Sequence, residues 1–139
     1  MTILTYTFRT YPHLVTLQQH FSPVFVIGPL KKDLQQLSDM IAQQRPRIIL
    51  GIAKGTTITE SKAVNIFHKK KIQQEGRPEY LLGSIKGISI NKHHTSSFCN
   101  YTAYYLCSYI EQHQLATTLL FVHIQEKDIP RLAELLRNR

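Results

Sequence analysis

Apolar residues recur along this chain in two rhythms, alternate positions and helical spacing, and the two take turns. Ile3–Phe8 alternates as a half-buried strand does. Pro12 can open a short helix reaching Gln19, since proline suits a first helical turn. Val24–Ile27 is a brief β-branched and aromatic run stopped by Gly28 and Pro29, which predicts a second strand. Leu30, Leu34, Leu37 and Ile41 then fall on one face of a helix running to Gln44, and Pro46 closes it. Ile48–Ala53 is apolar almost throughout, as in a strand covered on both faces.

The middle of the chain carries weaker signals. Ala63–Phe67, Tyr80–Leu82 and Ile85–Ile90 are expected as short strands, interrupted by Gly83 and Gly87, with the polar stretch Lys69–Pro78 as an exposed loop. The end is clearer. Phe98–Gln112 is predicted helical, Thr117–Ile124 a strand, and Ile129–Arg137 a closing helix capped by Asp128 with Pro130 in its first turn. Strands alternating with helices imply crossover connections and a mainly parallel sheet in an α/β protein. No repeat, low-complexity tract or linker divides the chain, so residues 1–139 are expected to form one domain.

Composition narrows the class further. With 42% apolar and 19% charged residues the chain belongs with soluble globular proteins. Met1–Leu17 has no continuous apolar core, and Leu115–Ile124 is too short to cross a bilayer, so a cytoplasmic protein without a membrane partner is expected. Only Cys99 and Cys107 are present, which speaks against a disulfide scaffold. The net charge of +8 raises nucleic acid as a partner. Yet Lys31–Lys32, Lys69–Lys71 and Arg131–Arg139 lie in separate segments without an aromatic-flanked RNA motif, so a solvated basic surface is the preferred reading.

Candidate chemistry gathers around Cys99. It follows Thr95, Ser96 and Ser97, natural helix caps, and so should fall at a helix N-terminus, where free N–H groups favour a thiolate and a developing oxyanion. A small buried apolar residue is the equal alternative on position alone. Cys107, further along the same helix, reads as packing. His123 ends an apolar run, and reactive groups in open α/β sheets collect at the carboxyl ends of strands. A cysteine–histidine pair needs a third group to orient the imidazole. Glu60, beyond the Gly51–Gly55 turn, is a candidate, although a turn or helix-start carboxylate is the plainer reading of that position.

These segments resemble one family. Ser97-Phe98-Cys99-Asn100-Tyr101 with Tyr104 and Tyr105 is similar to the nucleophile segment of pyroglutamyl peptidases, and Leu120-Phe121-Val122-His123-Ile124 to their histidine strand. Gly51-Ile52-Ala53-Lys54-Gly55, then Glu60 and Ala63-Val64-Asn65, resembles the segment bearing their glutamate. The chain thus looks like a shortened and divergent family member. The resemblance implies a three-layer α/β/α sandwich and a thiol protease without metal or cofactor. It would remove an N-terminal pyroglutamyl or similarly blocked residue from a peptide. Cys99 would be the nucleophile, His123 its base and Glu60 the orienting carboxylate. Phe8, Tyr11 and Phe98 would line the lactam pocket, and Lys70 would stand where the family carries an arginine near the oxyanion.

The departures from the family's pattern lie around the pocket. Phe8-Arg9-Thr10-Tyr11 runs straight to Pro12 without the glycine-rich loop, Thr56 stands for an arginine, and Gln125 for a proline. Homo-oligomerisation is one way shortened walls could be completed. The alternatives are a family member that has lost turnover and serves as a binding protein, and, with least support, a basic nucleic-acid-binding domain.

Overall fold

A computed structural model describes residues 2–64, 79–92 and 98–139, the side chain of Phe98 excepted. The elements are β1 (Ile3–Phe8), α1 (Leu14–His20), β2 (Val24–Ile27), α2 (Leu30–Gln44), β3 (Ile48–Lys54) and β4 (Ile58–Glu60). They continue with β5 (Lys62–Val64), β6 (Glu79–Leu81), β7 (Ile90–Asn91), α3 (Phe98–Gln112), β8 (Thr118–Ile124) and α4 (Ile129–Arg137). Six strands form one sheet in the order β2-β1-β3-β8-β4-β7. Neighbours are parallel except β4 against β8, where Ile58 pairs with His123 and Thr59 with Val122. A small antiparallel pair, β5 with β6, lies beside α3.

Helices cover both faces, as the alternation of strands and helices required. Leu34, Leu37 and Ile41 of α2 share a core with Ala103 and Leu106 of α3 and with Leu4, Tyr6, Ile49, Leu119 and Phe121 of the sheet. The alternate residues of β3 and β8 turn the other way. Leu50, Ile52, Leu120 and Val122 pack with Leu17 of α1 and Ile129, Leu132 and Leu136 of α4. The result is a three-layer α/β/α sandwich on a mainly parallel mixed sheet. No helix among the described residues is long and apolar enough to cross a membrane.

Several expected boundaries move for local reasons. The first helix begins at Leu14 rather than Pro12, because Tyr11 N donates to Phe8 O in a turn that comes first. Ile85–Ile90 is not a strand: Ile88 N closes a turn on Ile85 O, Gly87 has φ +101°, and only Ile90 and Asn91 pair, with β4. Ile85 and Ile88 are buried because that turn folds them onto the α1/α4 core. Asp128 stands at the N-cap of α4 as expected, but its side chain makes no cap hydrogen bond; it ends a 3₁₀ turn, Glu126–Asp128, and accepts a hydrogen bond from Thr57 Oγ1 at 2.5 Å. Of the strand expected at Ala63–Phe67, β5 takes Lys62–Val64. The remainder of that stretch, the Lys69–Pro78 loop and the Thr95–Ser97 caps lie outside the described residues.

Tyr6, in the centre of the α2/α3 core, is fully buried and its hydroxyl has no hydrogen-bond partner among the described residues. Burial, reinforced by the nearby thiols of Cys107 and Cys99, pushes that phenol well above its usual range. The folded state therefore keeps a proton that the unfolded chain loses above about pH 10, so this contribution to stability is intact below that pH and declines above it. The decline is expected to be roughly 1.4 kcal/mol per pH unit. Urea titrations at pH 9 and pH 11 should show a larger fall for the native sequence than for Tyr6→Phe, and equal falls would exclude it.

Candidate active site

Strand parity sets Phe8 and His123 on one layer. Tyr6 and Phe8 of β1 and Phe121 of β8 face α2 and α3. His123, two residues beyond Phe121, therefore projects from the same face at the carboxyl end of β8, its ring 5.5 Å from that of Phe121 between centroids. Glu60 lies on β4, antiparallel to β8, one step beyond the Thr59–Val122 pair. It is almost fully buried. His123 Nε2 stands 3.1 Å from Glu60 Oε1. The other carboxylate oxygen accepts a hydrogen bond from Asn91 Nδ2 at 2.8 Å, across the β4–β7 pairing.

The second imidazole nitrogen is also engaged. His123 Nδ1 lies 3.2 Å from the carbonyl oxygen of Lys54, at the end of neighbouring β3. Both facing groups are acceptors, so both bonds form together only when each ring nitrogen carries a proton. Gly55 makes this approach possible. A Cβ there would stand 3.1 Å from His123 Cβ and 3.3 Å from Nδ1, so a side chain would press on the ring.

Cys99 is the second residue of α3 and is partly buried against the α2/α3 core. Asn100, next to it, is buried; its Oδ1 accepts from Val64 N at 2.6 Å and its Nδ2 donates to Lys62 O at 2.9 Å. That two-sided bond clamps the first turn of α3 to β5. A groove of about 290 Å³ opens at Cys99, walled by Phe8, Ile27 and Leu30, with Arg9 and Thr10 at its rim. Phe8 and Cys99 are thus brought together. Tyr11 is not: it is buried with Leu17 and Phe21 in the opposite, α1/α4 core, because the Phe8–Tyr11 turn carries the chain to that face. Lys70 and the side chain of Phe98 lie outside the described residues.

Sequence reading passed over Asn91, Asn100 and the Lys54 carbonyl. No local signal marks the first or the last; Asn100 lies beside Cys99 in the segment similar to the family's nucleophile segment, and its buried amide needs partners that only the fold reveals. Among the described residues no three His, Cys, Asp or Glu side chains gather as metal ligands would.

No protein-family model matches the chain, and no curated protein matches it. Solved structures do. Pyroglutamyl peptidase I from Bacillus amyloliquefaciens superposes with a TM-score of 0.67 at 16% identity, covering 97% of this chain and 90% of that one. Pyrrolidone carboxyl peptidase from Thermococcus litoralis gives 0.66 at 13% identity, covering 89% and 76%. A point variant of pyrrolidone carboxyl peptidase from Pyrococcus furiosus gives 0.64 at 16%, covering 96% and 86%. The likeness is one of fold: this chain has the architecture of the pyroglutamyl peptidases.

Proposed function

We propose that the chain is a cysteine peptidase that removes a pyroglutamyl or similarly blocked N-terminal residue, with Cys99 as nucleophile, His123 as base and Glu60 holding His123. The observation that carries this reading is the pair of buried Glu60 with partly exposed His123, 3.1 Å apart, at the carboxyl edge of the sheet on the layer that Cys99 borders. The fold shared with pyroglutamyl peptidases supports it. Cys99 Sγ would attack the carbonyl carbon of the blocked residue while His123 takes the thiol proton. The tetrahedral intermediate would then expel the peptide amine, which receives that proton, leaving a thioester. Water, deprotonated by His123, would hydrolyse the thioester and regenerate the thiol. Helix α3 would favour the thiolate through its positive N-terminal end. The imidazolium formed in the first step suits its surroundings, since the Glu60 carboxylate and the Lys54 carbonyl both accept from it. Phe8, Ile27 and Leu30 offer an apolar wall for the lactam ring.

The test is hydrolysis of a fluorogenic pyroglutamyl amide under reducing conditions. Cys99→Ala is expected to lower kcat by on the order of 10⁴-fold or more, while Cys107→Ala stays near the native rate. Equal losses in both variants would remove Cys99 from the nucleophile's place. A second reading, a binding protein of the same fold without turnover, draws on one contact. His123 Nδ1 is held at the Lys54 carbonyl, and a base must free a nitrogen for the thiol. Folded protein that releases no fluorophore would favour it.

A further inference from the structure

Arg9 is the one charged side chain among the described residues lining the groove at Cys99. Its backbone is fixed, since Arg9 N donates to Ile27 O at 2.9 Å and so ties the end of β1 to the end of β2. Its guanidinium reaches over Gly28, with Nη1 4.0 Å from the point where a Cβ on that glycine would stand. Among the described residues the guanidinium makes no hydrogen bond or ion pair. Asp33 flanks Gly28 as well, but its Oδ2 is bound to Gly28 N at 2.6 Å. Lys31 and Lys32 on the first turn of α2, and Lys54 at the end of β3, are exposed and add charge of the same sign.

The groove therefore has two characters. Its wall of Phe8, Ile27 and Leu30 suits a neutral, weakly polar group, because a buried anion without partners there would be costly. Its solvent-exposed rim presents an unpaired planar fork of N–H donors, which matches a carboxylate. The part of a substrate that stays in water is the part beyond the scissile bond. Resting on the peptidase reading above, we propose that Arg9 makes the site selective for blocked peptides whose next residue, on the leaving side of the scissile bond, is acidic.

An exposed pair of this kind shifts selectivity by up to about fivefold. The experiment compares kcat/KM for pyroglutamyl-glutamate, pyroglutamyl-glutamine and pyroglutamyl-lysine peptides in the native protein, Arg9→Gln and Arg9→Glu. The native protein should favour the glutamate peptide over the glutamine one about fivefold, Arg9→Gln should lose that preference, and Arg9→Glu should turn it towards lysine. The same order of preference in all three proteins would overturn the inference and leave the peptidase reading intact.

If the native protein cleaves none of the peptides, the peptidase reading fails and the selectivity with it, and a second measurement shows separately whether Arg9 sets the charge at the groove. Cys99 is alkylated with iodoacetate and with iodoacetamide at one pH in a Cys107→Ala background. The ratio of the two rates cancels the thiolate fraction and reports only the charge at the groove. That ratio should fall about fivefold in Arg9→Glu, and an unchanged ratio would overturn that role as well. Arg9 is exposed and its side chain unpaired, so both variants should fold like the parent.

Discussion

Gly51→Ala is expected to lower stability by about 3 kcal/mol, the upper end of what overpacking a core costs. Gly51 lies in β3 directly opposite Tyr6 of β1 and Phe121 of β8. A Cβ there would stand 2.5 Å from both the Cζ and the hydroxyl of Tyr6, well inside contact distance. The ring cannot swing clear. It is fully buried and packed edge-on against Phe8 at 6.0 Å and Phe121 at 6.4 Å between centroids. Relief of glycine's backbone entropy opposes the clash by only about 0.5–1 kcal/mol. The midpoint of thermal unfolding should fall by on the order of 10 °C. Tyr6→Leu on its own leaves a void, but combined with Gly51→Ala the new methyl occupies part of that void. The double variant should therefore be more stable than the sum of the single losses predicts. A neutral Gly51→Ala, or strict additivity, would show that Tyr6 is not held against Gly51.

The elements that periodicity marks strongly were legible in the sequence. Leu34, Leu37 and Ile41 fixed the face of α2, and β1, β2, α2, α3 and α4 have the bounds that the pattern predicts. What escaped was short or depended on distant partners. Strand β4 is three residues, Ile-Thr-Glu, behind Gly55, Thr56 and Thr57, and nothing local distinguishes it from the turn. It exists because β8 offers an antiparallel edge. Ile85 and Ile88 read as strand residues because both are β-branched, yet their spacing serves a turn that drops both side chains into one core.

The site was legible unevenly for similar reasons. Period-two alternation fixes Phe8 on the layer of Tyr6, but it stops at the strand's end, and sequence nearness to Phe8 says nothing of where Tyr11 goes. The approach of Glu60 to His123 depends on β4 pairing with β8, so position alone left Glu60 a candidate with a plainer reading, and the family resemblance singled it out. Asn91 joins them from a strand of two residues, which no periodic pattern can announce.

Glu60→Ala is expected to give the other large effect, a loss of on the order of 10³-fold or more in kcat with KM nearly unchanged. Glu60 lies beneath His123 and is not among the groove residues, so its removal should spare substrate binding. What it removes is the charge that stabilises the imidazolium and the oxygen that fixes Nε2 as a donor. Without it the ring is free to reorient on the Lys54 carbonyl alone. Glu60→Gln separates charge from shape. Its side-chain oxygen can still accept from His123 Nε2, so orientation survives while the charge is lost, and the fall in kcat should be smaller, about 10- to 100-fold. Stability should drop in Glu60→Ala, because Asn91 Nδ2 and His123 Nε2 both lose a buried partner, at about 1–3 kcal/mol. Activity is therefore compared below the unfolding range of each variant, with circular dichroism as the check on folding. A double variant with His123→Ala decides the matter. If Glu60 acts through His123, removing Glu60 from a protein that already lacks His123 should change kcat little further. A full additional loss would place Glu60 in some other role.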